Sequence, residues 1–292
     1  MFDIATYHRA TTMTEALSML SANPDAKLLA GGTDVLIQLH HHNARYRHIV
    51  DIHDLPQLRG IALAEDNQLR IGSATTFSEI IDSPLTKKHF PALCAAAASI
   101  AGPQIRNVAT YGGNICNGAT SADSATPTLI YNAVLEIQSP TGVRFASMNG
   151  FHTGPGTVSL QHNEIVTAFL LPLPPEKNVG SAHYKYAMRE AMDISTIGCA
   201  AYCQLNNGYI EELRLAFGVA APTPIRCPQA ELAAYHAPVS ALTLDAIGEA
   251  VLQDVNPRSS WRANKAFRLH LIQTMTRKVV GEAIAAAGGE LQ

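Results

Sequence analysis

The sequence predicts an α+β fold in two domains, and three observations carry that reading. The chain has 292 residues, which at roughly 150 residues per domain makes about two. Hydrophobic residues are 47% of it and charged residues 15%, enough apolar surface for a core in each domain and too few charges for disorder. Helix-start signals alternate with short apolar runs of strand length, and a proline cluster at 171–177 interrupts both patterns.

The charge balance excludes several partner classes. Against 24 Asp plus Glu stand 21 Lys plus Arg, a net charge of −3 with no basic stretch, so neither a nucleic acid nor an anionic membrane is expected to bind. The longest apolar runs, at 92–101 and 165–174, fall short of the roughly 20 residues that cross a bilayer. Residues 1–12 include Asp3, His8 and Arg9 and hold no apolar signal segment, so a cytoplasmic location is expected. The five cysteines, Cys94, Cys116, Cys199, Cys203 and Cys227, are odd in number and lack CxxC spacing, which favours buried thiols over disulfides or a metal site. His40, His41 and His42 are consecutive and point in different directions on a helix, so no metal site is expected there.

In chain order, Thr12 and Glu15 have capping-box spacing ahead of Leu17 and Leu20, and Asn23-Pro24 stops that helix. Residues 27–30 read as a short strand, Gly31-Gly32 as a sharp turn, Thr33 as the N-cap of a second helix and 48–52 as another strand. A strand at 69–72 and a second capping box, Thr76 with Glu79, open the next unit, followed by an Ala-rich helix from Pro91. Residues 102–123, dense in Gly, Asn, Ser and Thr, read as a long loop of the kind that carries function. Strands at 134–138, 143–146 and 165–171 complete the unit. The proline run sets a domain boundary near Pro175, giving a domain of 1–175, with parts 1–56 and 57–175, and a second of 176–292. Beyond it, alternating segments at 182–188, 197–205 and 209–217 suggest a small antiparallel sheet that turns at Asn206-Asn207-Gly208. Helices at about 242–252 and 260–280 would cover one face.

Two glycine pairs stand out, Ala30-Gly31-Gly32-Thr33-Asp34 and Thr110-Tyr111-Gly112-Gly113-Asn114. Paired glycines let backbone N–H groups converge on an anion without interference from Cβ. Neither GxxxxGK[ST] nor GxGxxG is present, so a nucleotide hydrolase and a standard dinucleotide fold are both disfavoured. Two separate loops suit a pyrophosphate gripped from two sides. On spacing alone, each pair reads more readily as an ordinary turn.

The segment 99–117, Ser-Ile-Ala-Gly-Pro-Gln-Ile-Arg-Asn-Val-Ala-Thr-Tyr-Gly-Gly-Asn-Ile-Cys-Asn, resembles the signature of the FAD-binding subunits of molybdenum hydroxylases, among them xanthine dehydrogenase and carbon monoxide dehydrogenase. The likeness continues through residues 30–34, Thr75-Thr76, Asp123, Pro127, 151–172, Arg189, Asp193-Ile194-Ser195, 216–224 and 258–262, nearly the whole chain. It departs at Thr153-Gly154-Pro155-Gly156-Thr157, where the family more often has a polar pair before the Thr.

The resemblance implies two α+β subdomains of the PCMH type holding FAD between them, and a C-terminal domain that closes over the flavin side. It assigns Lys27, Leu28, Leu29, Ala30, Gly31, Gly32, Thr33 and Asp34, with Ala109, Thr110, Tyr111, Gly112, Gly113 and Asn114, to the pyrophosphate and ribityl chain. Asp123 would contact FAD through its carboxylate, Ile100 would lie against the adenine, and Ile165 and Val166 would line the flavin or adenine pocket. Tyr184 and Lys185 would approach from the C-terminal domain, Lys185 tuning the flavin by its charge. The implied partners are a molybdopterin-binding large subunit, a 2Fe-2S small subunit and NAD+ as electron acceptor, in the hydroxylation of a purine such as xanthine. Alternatives are another molybdenum hydroxylase with a different acceptor, a flavin-binding assembly subunit, or a covalent flavoenzyme of distantly similar fold.

Overall fold

The computed structural model describes residues 2–290. The first unit runs β1 (Thr6–Arg9), α1 (Met13–Ala22), β2 (Lys27–Leu29), α2 (Val35–His40) and β3 (His48–Asp51), and its strands form a parallel sheet ordered β1-β3-β2. Thr12 caps α1, its Oγ1 accepting the Glu15 N–H at 3.1 Å, while the Glu15 carboxylate turns back to Thr11 instead of completing the box at Thr12. The cap position of α2 is held by Asp34, which makes no side-chain capping bond, so Thr33 is not the N-cap that the sequence predicts. β1 is not foreseen, being four residues with mostly exposed side chains and no apolar alternation.

The second unit is built on an antiparallel sheet ordered β4-β5-β10-β6-β7, from β4 (Ile61–Ala64), β5 (Gln68–Gly72), β6 (Val134–Ser139), β7 (Gly142–Ser147) and β10 (Ile165–Pro172). A small hairpin, β8 (His152–Gly154) with β9 (Thr157–Val158), lies between. Its helices are α3 (Phe77–Asp82), α4 (Pro84–His89), α5 (Pro91–Ser99), α6 (Pro103–Arg106), α7 (Tyr111–Cys116) and α8 (Ala125–Ile130). The capping box at Thr76 is complete, with Glu79 accepting from the Thr76 N–H at 2.7 Å. The long loop expected at 102–123 is corrected in part, because it contains α6 and α7. Pro103 starts the first and Thr110 Oγ1, accepting from Gly113 N–H, caps the second, so caps supply what apolar periodicity lacks.

The third unit is an antiparallel sheet ordered β11-β12-β13-β14, from β11 (Val179–Tyr186), β12 (Ile197–Asn206), β13 (Tyr209–Gly218) and β14 (Ile225–Arg226), with α9 (Pro228–Ala234), α10 (Ala241–Ala250) and α11 (Lys265–Ala286). The β12–β13 turn has Asn207 and Gly208 at φ 51° and 81°, the left-handed values that a two-residue hairpin requires. β12 is buried on both faces. Ala200 and Tyr202 join the core of the second unit, whereas Cys199, Ala201 and Cys203 join the core beneath α9–α11, which is why 197–205 is an almost unbroken apolar run. Cys199, Cys203 and Cys227 are all buried there, and desolvation pushes the Cys203 thiol up to about 12.

α8 is wedged between the second and third units with all its side chains buried. Its last carbonyls are met by arginines from the C-terminal sheet. Arg214 donates to Ile130 O at 3.0 Å and Arg226 to Leu129 O at 3.3 Å and Asn132 Oδ1 at 2.8 Å. Glu212 and Glu231 in turn accept from Arg214 and Arg226 at 2.5 and 2.6 Å.

β11 crosses α11 at Gly180, where a Cβ would lie 2.2 Å from Ala283 O and 2.5 Å from Ala287 N. Gly180→Ala is therefore expected to force the sheet and helix apart and to lower stability by about 1–3 kcal/mol, read as an earlier midpoint in urea unfolding.

Candidate functional site

A cavity of about 330 Å³ opens between the first and second units. One wall is the turn after β2, with Lys27, Leu28, Ala30, Gly31, Gly32, Thr33 and Asp34. The opposite wall is the start of α7, with Ala109, Thr110, Gly112, Gly113 and Asn114, and Ile165 and Val166 of β10 form part of the apolar floor. These segments are far apart in sequence, and the parallel and antiparallel sheets bring them together.

The glycines differ in purpose. A Cβ on Gly31 would lie 2.0 Å from Val108 O, so this residue lets the two walls touch. Gly32 has φ +76°, which only glycine adopts without strain. Gly112 has helical geometry and presses on Ser73, whose Cβ and O would be 2.6 and 2.8 Å from an added Cβ. Gly113 is exposed toward the cavity, where an added Cβ would meet only Thr110 Oγ1, at 2.8 Å.

The N–H groups of the two turns differ too. At α7, Tyr111 N–H donates to Thr75 O at 2.9 Å, Gly112 N–H to Ser73 O at 2.7 Å and Gly113 N–H to Thr110 Oγ1 at 3.2 Å. Among the described residues, no acceptor pairs with the N–H of Gly31, Gly32, Thr33 or Asp34. Four successive donors without partners make a cradle for an anion.

The remaining cavity residues carry no sequence signal of their own. His162 Nε2 lies 3.0 Å from Leu20 O and 2.9 Å from Asn23 O, tying the approach to β10 onto the end of α1 and closing one side. Glu164 is satisfied by Arg144, at 2.6 and 2.7 Å, and Gln161 N–H, and the Arg144 guanidinium holds its carboxyl below the usual range. Asp34 is pushed up by desolvation against an opposing hydrogen bond from Asn117. Cys116 also lines the cavity, and desolvation pushes its thiol up to about 12. Cys116 and Asn117 follow the second glycine motif, and that adjacency is the one signal that could have found them, whereas Ser73 meets Gly112 only in the fold. The departure at 153–157 forms the β8–β9 hairpin, seated on Gly118 through Gly156 N–H to Gly118 O at 2.9 Å.

Six expected residues lie outside this cavity. Leu29 is in β2 behind the turn. Tyr111 is fully buried, its OH 2.6 Å from Thr128 Oγ1 and its ring 4.1 Å from that of Phe169, so its side chain serves the core. Ile100 belongs to the same core. Asp123 and Lys185 meet where the C-terminal sheet packs on α5 and α8, and Tyr184 precedes Lys185 on β11 but faces α11. Lys185 Nζ donates to Asp123 Oδ2 at 2.7 Å and to Ser99 O at 3.0 Å, and Ser195 Oγ donates to Asp123 Oδ1. The Tyr184 ring is partly exposed beneath Lys278 Nζ at 5.0 Å. Lys185 is thus a buried cation paired with Asp123.

Free N–H donors, glycine where walls converge, an apolar floor and a carboxylate neutralised by Arg144 together fit a phosphate-bearing cofactor with an aromatic ring. Residues 2–174 match the family of the FAD binding domain in molybdopterin dehydrogenase, and residues 182–283 match the CO dehydrogenase flavoprotein C-terminal domain. The chain belongs to the FAD-binding flavoproteins of the molybdopterin dehydrogenases. It is similar to the xanthine dehydrogenase FAD-binding subunit of Escherichia coli O157:H7, 73% identical over the whole of both chains. It is also similar to the carbon monoxide dehydrogenase medium chain of Hydrogenophaga pseudoflava, 28% identical over 96% of each. A solved structure of carbon monoxide dehydrogenase from that organism superposes with a TM-score of 0.94, covering 98% of this chain and 99% of that one. FAD is the cofactor of this flavoprotein.

The two glycines of α7 should separate packing from cofactor access. Gly112→Ala collides with Ser73 and is expected to lower stability by about 1–3 kcal/mol. Gly113→Ala should cost at most about 1 kcal/mol, through disturbance of the Thr110 cap, yet reduce FAD content by putting a methyl in the cavity. Thermal unfolding and the flavin-to-protein absorbance ratio of the two variants distinguish the effects.

Proposed function

We propose that this chain is the electron-transfer subunit of a xanthine dehydrogenase, carrying electrons from 2Fe-2S clusters through FAD to NAD+ while a purine is hydroxylated on another subunit. The observation that carries this reading is the 73% identity over the full length of both chains with a xanthine dehydrogenase FAD-binding subunit, against 28% with the carbon monoxide dehydrogenase relative. The partners it calls for are a molybdopterin-binding large subunit and a 2Fe-2S small subunit. No helix among the described residues is long and apolar enough to cross a membrane, and the cytoplasm, where NAD+ is at hand, is the compartment we assign.

FAD, when bound, supplies the exchange between one-electron and two-electron carriers, and the protein supplies binding, orientation and electrostatics. In our reading the unpaired N–H groups of residues 31–34 donate to the pyrophosphate, reached along Lys27, Leu28, Leu29 and Ala30. Residues 109–114 form the opposing wall, with Gly113 permitting close approach. Ile165 and Val166 exclude water from a ring of the cofactor, and Ile100 backs the adenine end from within the core. Asp123 faces the cofactor as a carboxylate. Lys185 acts through that carboxylate, because its charge is matched by it, and Tyr184 borders the flavin side. The cavity belongs to a domain of residues 1–175 and the clasp on Asp123 to a domain of 176–292, so both domains contribute to one site.

The isolated chain loaded with FAD is expected to oxidise NADH with an artificial acceptor and to leave xanthine untouched, whereas the complex with its molybdopterin and 2Fe-2S subunits oxidises both. Xanthine oxidation by the single chain without molybdenum, or no NADH oxidation by a fully flavinated chain, would overturn the reading.

A further inference from the structure

Ser195 stands at the end of the loop after β11, has no contact with the cavity, and is buried, 3% exposed. Its Oγ donates to Oδ1 of Asp123, and Lys185 Nζ donates to Oδ2 at 2.7 Å. The Lys185 and Asp123 side chains are themselves 10% and 9% exposed. Both oxygens of a buried carboxylate from the FAD-binding family match are therefore held by donors from beyond the proline run. Directly after Asp123, Ser124 Oγ donates to Asn114 Oδ1 at 2.7 Å, and Asn114 lines the cavity. The same C-terminal sheet clasps the far end of α8 through Arg214 and Arg226. α8 is thus fixed at both ends by one sheet, and a cavity side chain hangs from its first turn.

We propose that Ser195 is a positioning residue for the FAD site: by holding Asp123 Oδ1 it keeps that carboxylate ionised and aligned, so that docking of the C-terminal sheet and retention of FAD are coupled. This rests on the reading that Asp123 faces the cofactor. Coupling follows because a state that loses the Ser195 and Lys185 donors leaves a buried carboxylate unsatisfied, which disfavours the same arrangement that binds FAD.

The charge environment gives the inference a signature in pH. Burial pushes the Asp123 carboxyl up, opposed by the charge and hydrogen bond of Lys185 and by the hydrogen bond of Ser195. From α5 the pair meets only the Ser99 carbonyl. On β11, His183 is kept neutral, pushed down to about 3 by burial and by Lys185. Asp193 turns away, accepting from the N–H groups of Met188, Arg189 and Ile194. Deleting the Ser195 hydroxyl removes one of the contributions that keep Asp123 ionised, so its carboxyl protonates at a higher pH. The carboxylate's contribution is present above that pH and lost as the pH falls through it, so acid release of FAD begins earlier in the variant.

The test uses the full FAD-loaded chain, with FAD release followed by flavin fluorescence as a function of pH. Ser195→Ala is expected to release FAD roughly tenfold faster at neutral pH and to raise the midpoint of acid release by about one unit. Ser195→Thr, which keeps the hydroxyl, should restore both. Wild-type release rate and midpoint in Ser195→Ala would overturn the inference. Asp123→Asn separates it from the reading beneath it. If Asp123→Asn loses FAD while Ser195→Ala behaves as wild type, only the coupling fails; if Asp123→Asn keeps FAD with an unchanged release rate and reduction potential, the position of Asp123 at the cofactor fails as well.

Discussion

A helix with no face turned to water obliges both of its ends to find partners inside the protein, and α8 is such a helix. An unpaired buried carbonyl costs about 1–3 kcal/mol, so its last turn needs donors, and Arg214 and Arg226 supply them. Those guanidinium groups come already matched by Glu212 and Glu231, which spares the interface an unpaired charge. The third unit packs against the second around this strut, and β12 there is buried on both faces.

The cavity divides its tasks between two turns that look alike in sequence. The turn after β2 keeps four N–H groups free, whereas the start of α7 uses its own to hold Thr75, Ser73 and Thr110. One wall is rigid because its hydrogen bonds are satisfied. The other is receptive because its bonds are not. A Gly-Gly pair therefore means two different things in one protein, and only the neighbouring backbone tells them apart.

What the sequence made legible was what is local. Thr12 and Thr76 cap the helices their spacing announces, and Asn206-Asn207-Gly208 turns the hairpin it implies. β1, β4, α4 and α9 went unread because short elements give too few repeats for periodicity to register. α6 and α7 hid in a polar stretch where caps and tertiary contact, not apolar spacing, make the helix. Of the site, the glycine turns and Ile165 with Val166 were visible, while the contact of His162 with α1 spans residues 162 to 20 and leaves no local trace. Lys185 was legible as a residue of interest but not as one half of a pair, since its partner lies sixty-two positions away.

Four of the five thiols of this flavoprotein are shielded from reaction by burial. Thiolate is the form that reacts with oxidants and disulfides, and desolvation pushes Cys116 and Cys203 up to about 12 and Cys199 and Cys227 far above their ordinary value. At neutral pH these sulfurs are protonated and inert, even the one beside the cofactor cavity. All five cysteines are free, so the fold holds without a sulfur crosslink and a reducing medium removes no covalent support from it.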